Sequence, residues 1–278
     1  MNERSLVSVL VTSYNRAKYI SETIDSILSQ TYPYFEIIVC DNCSTDNTME
    51  VLKKYEGNPK IRIYQNQTNI GQFPNRNKIA GYANGEYLKY VDSDDLIYPT
   101  CLQVMVESMK KYPEAGWGLC NEQDRFRPHP FLLGPKEAYL YHYSVMPIFE
   151  RSPLGTIIKK TAFDKLGGFQ DIKMAGDFEM WHRLACFYPL VIIEPGVAWY
   201  REHDSQEMNH YAAYILQYDL VRKEYLTSPQ NPLDKDERIK FINIQKRHIR
   251  KEMIKYFVKL DFGNAEKFFK LYSNYYVN

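Results

Sequence analysis

An excess of charge of either sign is the first thing this sequence lacks. Lys and Arg number 35 against 34 Asp and Glu, a formal net charge of +1 over 278 residues. So even a balance gives no global field for attracting nucleic acid, and no nucleic-acid partner is expected. Apolar runs that approach a membrane span, about 18 residues, are missing too. The start, MNERSLVSVLV, has a short apolar run that passes into TSYNR with no cleavage-site pattern. It does not read as a secretory leader, and the expectation is a cytoplasmic protein. The five cysteines (Cys40, Cys43, Cys101, Cys120, Cys186) are odd in number, which speaks against a full disulfide framework. Cys40 and Cys43 make a lone C-x-x-C without a second pair or spaced histidines, so zinc or redox chemistry there has weak support. Neither G-x-G-x-x-G nor G-x-x-x-x-G-K-[ST] occurs, which removes the dinucleotide fingerprint and the P-loop. Any bound phosphates must then be neutralised by side chains and a cation. Tyrosine, by contrast, is abundant at 24 copies; such rings pack cores, stack on bases or sugars, or sit at membrane surfaces.

Short β-rich apolar runs recur at 6–12 (LVSVLVT), 35–40 (FEIIVC), 61–65 (IRIYQ) and 86–91 (EYLKYV), with 116–121 (GWGLCN) as a fifth. Between them, 17–30, 47–56, 72–84 and 100–112 read as helices; Ile20, Ile24, Ile27 and Leu28 show the helical spacing. Such alternation predicts an α/β fold, a mostly parallel sheet flanked by helices. Ligands of these sheets sit beyond the carboxyl ends of the strands. TSYN, CDNCSTD, NQTNIG and DSDD should therefore share one edge. Past residue 123 the alternation stops. RFRPHPFLLGP reads as a loop, and SPLGTIIKKTAFDKLGGF as a short strand, a helix and a glycine turn. Residues 177–187 fit a helix, 191–193 and 197–201 short strands, and the chain from 208 onward reads as helical.

DSDD crowds Asp92, Asp94 and Asp95 at the end of the fourth strand. Capping a helix needs one acid. Three carboxylates so placed most naturally hold a divalent cation through oxygen, Mn²⁺ or Mg²⁺, with substrate phosphates completing its shell. Asp41 ends the second strand at the same edge, as a turn former or as an acceptor for a nucleobase N–H. Asp46 is placed to cap the following helix. Arg76 either is a solvated helix arginine or helps to neutralise phosphates.

VSVLVTSYNR, VCDNCSTDNT, NIGQFPNRN and ANGEYLKYVDSDD, in that order, resemble the successive motifs of the family 2 glycosyltransferases of the GT-A fold, and the resemblance runs across residues 5–205. It implies a nucleotide-diphosphate-sugar donor, with UDP favoured, and inversion at the anomeric carbon. It implies a GT-A domain over 1–207, split into a nucleotide-binding half (1–122) and an acceptor or catalytic half (123–207), followed by a helical C-terminal extension (208–278). On that resemblance Thr12 and Tyr14 border the base, Asp41 pairs with it, and Arg76 supports the nucleotide. Asp92, Asp94 and Asp95 hold the ribose and the diphosphate-bound metal, with Asp94 and Asp95 foremost as ligands. His203, in WYREHDSQ (199–206), would touch the diphosphate or the metal. MAGDFEMWHRL (174–184) is similar to the family's acidic helix start, a Glu-Asp pair followed by an apolar stretch and Arg. Gly176 stands in the Glu position, Asp177 aligns with the catalytic base and Arg183 with the arginine; Glu179 is a second available acid. SPLGT (152–156) would line the donor-sugar or acceptor pocket. The acceptor implied is a glycan or a lipid-linked glycan in bacterial surface-polysaccharide or lipopolysaccharide synthesis. Two alternatives stand beside this one. A nucleotide-sugar binding protein without transfer is disfavoured by the intact carboxylates. A nucleotidyltransferase would show a glycine-rich basic loop where TSYNRAKY stands.

The tail differs in character. From Arg238 to Lys270 there are ten basic and three acidic residues, with Ile249, Met253, Tyr256, Phe257 and Leu260 at helical spacing. These helices pack on the domain, serve a homodimer, or touch an anionic membrane from the cytoplasmic side.

Overall fold

The structure, a computed structural model, describes residues 4–204, 206 and 214–274. The expected domain boundary between 207 and 208 falls outside the described residues.

Four strands run parallel in the order β3 (Ile61–Gln65), β2 (Phe35–Asp41), β1 (Val7–Ser13), β4 (Tyr87–Asp92). Helices α1 (Ile20–Leu28), α2 (Thr48–Leu52), α3 (Gln72–Ala80) and α4 (Cys101–Lys111) alternate with them along the chain. The strands read as unbroken apolar runs because both faces are covered. Leu10, Ile38 and Tyr90 face one core, while Val9, Val11 and Val39 face the other. The register sets Thr12 opposite both Cys40 and Asp92, and Ser13 opposite Asp41. Three of the polar motifs thus end in one row.

Beyond β4 the sheet becomes mixed. β8 (Thr156–Lys159) lies antiparallel between β4 and β6 (Trp117–Cys120); β9 (Leu190–Ile193) is parallel to β6, and β7 (Phe131–Leu133) closes the edge antiparallel to β9. RFRPHPFLLGP is therefore not all loop. Phe131 and Leu133 are buried while Leu132 is half-exposed, a period of two that pairs with β9. Helix α5 (Pro135–Ser144) follows where no element is expected. The two-residue β5 (Leu96–Ile97), just past DSDD, pairs with β10 (Ala198–Trp199) and ties that loop to the WYREH segment.

The second half of the domain hangs on α6 (Lys160–Lys165) and α7 (Gly176–Phe187). Trp181 of α7 is fully buried and stacks on Trp117 of β6, ring centroids 5.5 Å apart. This docks α7 beneath the sheet with its start at the carboxyl edge of β4. That start is jammed against α3: a Cβ on Gly176 would lie 2.6 Å from the Gln170 carbonyl oxygen and 2.6 Å from Phe73 Cζ. Glycine at this position is thus a steric requirement of this chain. Of the C-terminal helices α8 (Ile215–Thr227), α9 (Lys235–Val258) and α10 (Phe262–Asn274), α8 joins the main core through Tyr218, Val221, Tyr225 and Leu226, and α9 joins it through Phe241.

Trp181→Ala should lower the unfolding free energy by about 3–5 kcal/mol in urea titrations. Gly176→Glu, which restores the acidic pair, should destabilise by about 1–3 kcal/mol in the same measurement. An unchanged midpoint would show that the helix start has room to shift.

Candidate active site

A cavity of about 610 Å³ opens at the carboxyl edge of the sheet. Thr12, Tyr14, Arg76, Asp92, Asp94, Asp95 and Asp177 line it. Asp41 and His203 do not. His203 lines a second cavity of about 830 Å³, which shares Ser152, Asp177, Tyr200, Gln206 and Tyr218 with the first.

The loop after β1 is sewn to the loop after β2. Asn15 takes a left-handed conformation (φ 53), which asparagine tolerates. Its N–H donates to Ser44 Oγ at 2.8 Å, and its side-chain oxygen accepts from the Thr45 N–H at 2.8 Å. The Arg16 N–H donates to Thr48 Oγ1 (2.9 Å) and the Ala17 N–H to Asp46 (3.1 Å). Asp41 is fully buried, and its two oxygens accept from Ser44 Oγ (2.5 Å), the Ser44 N–H (2.9 Å) and Gln65 (3.3 Å). In this state the carboxylate braces the turn that carries Cys43 at φ 65. A buried asparagine relay, invisible in the motif reading, fixes the third loop. The Asn66 amide donates to both Asn42 and Asn75 at 2.9 Å, and Asn75 donates to the Cys40 carbonyl at 3.2 Å. The burial of all three, among apolar neighbours, is what hides them from periodicity.

Each acid of DSDD already meets a positive group or an N–H donor. Arg76 is buried in α3, and its Nη2 donates to both oxygens of Asp92, at 2.7 and 2.9 Å. Asp94 Oδ2 accepts from Arg16 Nε at 2.8 Å and lies 3.0 Å from His203 Nε2, whose ring stacks on Tyr19. Asp95 accepts from the Arg201 N–H at 3.0 Å, while Arg201 Nε donates to the Asp94 carbonyl at 2.8 Å. Burial, and after it the charge of Asp92, push the Asp95 carboxyl up to about 8. Behind it lies Lys89, fully buried in β4, donating to the Leu154 carbonyl. Burial pushes its ammonium pKa down.

The two acids of α7 part company. Asp177 is half-buried at the wall of both cavities, and burial lifts it to about 6 against the pull of Arg76. Glu179 is fully buried and faces inward, held by Arg183 (2.9 Å) and the Tyr225 hydroxyl (2.5 Å). Arg183 also donates to the carbonyls of Leu166 and Gly168, which fixes the glycine turn.

The donors around Asp94 and Asp95 are carboxylate oxygens with one imidazole, the set that suits Mn²⁺ or Mg²⁺. Among the described residues no three His, Cys, Asp or Glu side chains converge enough to hold an ion unaided. The residues present fit a cation that completes its shell with phosphate oxygens. All five cysteines are free thiols, and burial raises that of Cys40 to about 11, which leaves it inert.

A family model described as Glycosyl transferase family 2 matches residues 8–167. TuaG of Bacillus subtilis, provisionally named a teichuronic acid biosynthesis glycosyltransferase, is 38% identical over 109 residues, 39% of this chain and 43% of that protein. The first curated relatives are thus matched over less than half of their length, 43% and 41% for the first two. Residues 1–349 of Staphylococcus aureus TarS, solved with UDP-GlcNAc, superpose with a TM-score of 0.67 at 22% identity, covering 88% of this chain and 72% of that one. A mannosyltransferase from Pyrobaculum calidifontis, solved with GDP-Man and Mn²⁺, gives 0.66 at 20% identity over 99% and 84%. These likenesses show a GT-A fold. With the family model spanning more than half of the chain, this protein belongs to glycosyl transferase family 2.

Proposed function

We propose that the protein transfers a sugar, with inversion, from a nucleotide-diphosphate donor to a hydroxyl of a glycan or lipid-linked acceptor. The observation that carries this reading is the position of Asp177, the half-buried carboxylate shared by both cavities. The first cavity suits the donor and the second the acceptor. The acceptor oxygen forms its bond to the anomeric carbon from the face opposite the diphosphate. Its proton passes to Asp177, and the bond to the diphosphate breaks. A carboxylate near 6 is ionised at neutral pH yet basic enough to take a proton. Thr12 and Tyr14 border the base. Asp41, fully buried behind its own turn and away from the cavity lining, would need that turn to open before it could pair with the base. Arg76 supports the nucleotide through Asp92. A divalent cation held by Asp94 and Asp95, with His203 beside them, would offset the charge of the diphosphate.

UDP is the proposed nucleotide; the TarS complex with UDP-GlcNAc supports it and the mannosyltransferase complex with GDP-Man makes GDP the alternative. The proposed setting is bacterial surface-polysaccharide synthesis at the cytoplasmic face of the membrane, with residues 1–207 as the transferase domain and 208–278 as its extension. Among the described residues no helix is long and apolar enough to cross a membrane.

Thermal shift with UDP, GDP, dTDP and CDP, each with and without Mn²⁺, should show one nucleotide stabilising only with the ion, by about 2.7 kcal/mol at a hundredfold excess over Kd. No ion-dependent shift with any of them would remove the metal from the reading. Asp177→Asn should cut turnover by at least about 10²-fold, the range of general-base contributions, while donor Kd stays within a factor of a few. Near-normal turnover would sink the base assignment. In the wild type, kcat/KM should fall as pH drops through about 6, because the protonated acid cannot accept the acceptor proton.

A further inference from the structure

The C-terminal hairpin divides the residues of its apparent amphipathic stripe into two sets. Ile249, Phe268 and Leu271 are buried between α9 and α10, with Met253 and Tyr256 packed against them. Phe257 and Leu260, which share the spacing, are not: they are 61% and 74% exposed, as are Val258 (74%) and Phe262 (56%). Phe257 and Val258 end α9, Leu260 lies in the turn and Phe262 begins α10. Phe257 and Phe262 contact each other edge-on at 5.5 Å, so the cluster is one patch.

Two further observations bear on what covers it. Leu260 sits at φ 59, a left-handed conformation in which a side chain costs conformational energy. A leucine that is strained and also exposed gains nothing in the free protein. Exposed Lys255, Lys259, Lys267 and Lys270 flank the patch, against Asp261 and Glu266. Among the described residues Lys255 pairs with half-exposed Glu252 and Lys270 with exposed Glu266, each on its own helix. The turn is also a projection rather than a groove. α9 is anchored to α8 where Gln245 donates to the fully buried Asp219. Ile215 and Leu216 of α8 pack on the cluster around Ile249, and beyond Ile249 the helix rises about 14 Å to Val258 at 1.5 Å per residue.

We propose that this hairpin tip docks on an anionic lipid bilayer, with Phe257, Val258, Leu260 and Phe262 entering the headgroup boundary and the lysines meeting lipid phosphates. A convex apolar tip with a cationic collar matches a bilayer surface, which is apolar below and anionic above. The inference does not depend on the transferase reading. The anchor also gives it a consequence: Tyr218, next to Asp219 on α8, lines both cavities, so a docked tip holds the site at a fixed distance from the surface.

Flotation of the full chain with vesicles of phosphatidylcholine, with and without a one-third share of phosphatidylglycerol, tests this directly. The chain should bind the anionic vesicles and hardly the neutral ones. Phe257→Ser with Leu260→Ser and Phe262→Ser should weaken binding by at least about tenfold. Each of Lys259→Gln and Lys267→Gln should weaken it by about fivefold. Leu260→Trp should show a blue-shifted emission on adding anionic vesicles, a readout that does not require removing the patch. Absence of wild-type binding at low salt overturns the proposal, and so does binding that survives the triple substitution. A dimer by light scattering that the triple substitution dissociates, without vesicle binding, would assign the tip to a second copy instead.

Discussion

The buried contact between Arg76 and Asp92 is the one on which the arrangement of the site depends. Burying a guanidinium costs several kcal/mol, and removing its partner would leave that cost uncompensated. Here both carboxylate oxygens accept from it, and Phe73 and Phe169 flank its plane at 5.6 and 5.9 Å. The pair welds α3 to the end of β4. Neighbouring side chains of the same helix reach other parts of the site. Asn75 bonds the Cys40 carbonyl at the end of β2, Lys78 bonds Asn66, and Asn77 exchanges two hydrogen bonds with the backbone of Phe169. Phe73 meets the start of α7 at Gly176. One short helix therefore sets the relative positions of the acid cluster, the loops after β2 and β3, and Asp177.

The same economy explains how three carboxylates survive side by side. Crowding alone would favour protonation or an external cation. The chain supplies its own positive groups first: Arg76 to Asp92, Arg16 to Asp94, and the Arg201 N–H and the distant Lys89 charge to Asp95. Compensation is uneven, and Asp95, at about 8, is left as the acid least supplied. Crowding thus does not by itself demand a metal in the free protein. What suits one is the oxygen-rich donor set, with a cavity beside it that has room for a diphosphate.

Legibility in the sequence followed the strength of local signals. Strands β1 to β4 and β6 and helices α1 to α4 were readable because their periods switch cleanly between runs, and β1, β2 and β4 end in the polar motifs that line up at one edge. The order of the later strands was not readable. β8 inserts between β4 and β6, and nothing in TIIK says which neighbours it takes, because edge choice is decided by tertiary packing. β7 was hidden behind a proline-rich approach and is only three residues long. Lys89 was missed because a charged residue in the middle of YLKYVD reads as solvent-facing, and only its bond to the Leu154 carbonyl makes its burial tolerable. The tail was misleading in another way. Its basic and apolar residues share one spacing, yet α10 covers the part near Ile249 and leaves the part near Leu260 open.

The separation of Asp177 from Glu179 shows how little sequence distance is needed to decide chemistry. Two residues on a helix differ by about 200° in direction. With Trp181 fixing the rotation of α7 against β6, one acid must face the sheet edge and the other must face α8. Glu179 then finds Tyr225 and Arg183 and has no lone pair directed at solvent. Asp177 finds only its neighbour's N–H at 2.8 Å and the more distant charge of Arg76. Burial without a full set of partners raises its pKa and leaves it able to exchange a proton. The acid that lines the cavities and the buried structural acid are thus distinguished by the rotation of one helix, which the two stacked tryptophans set.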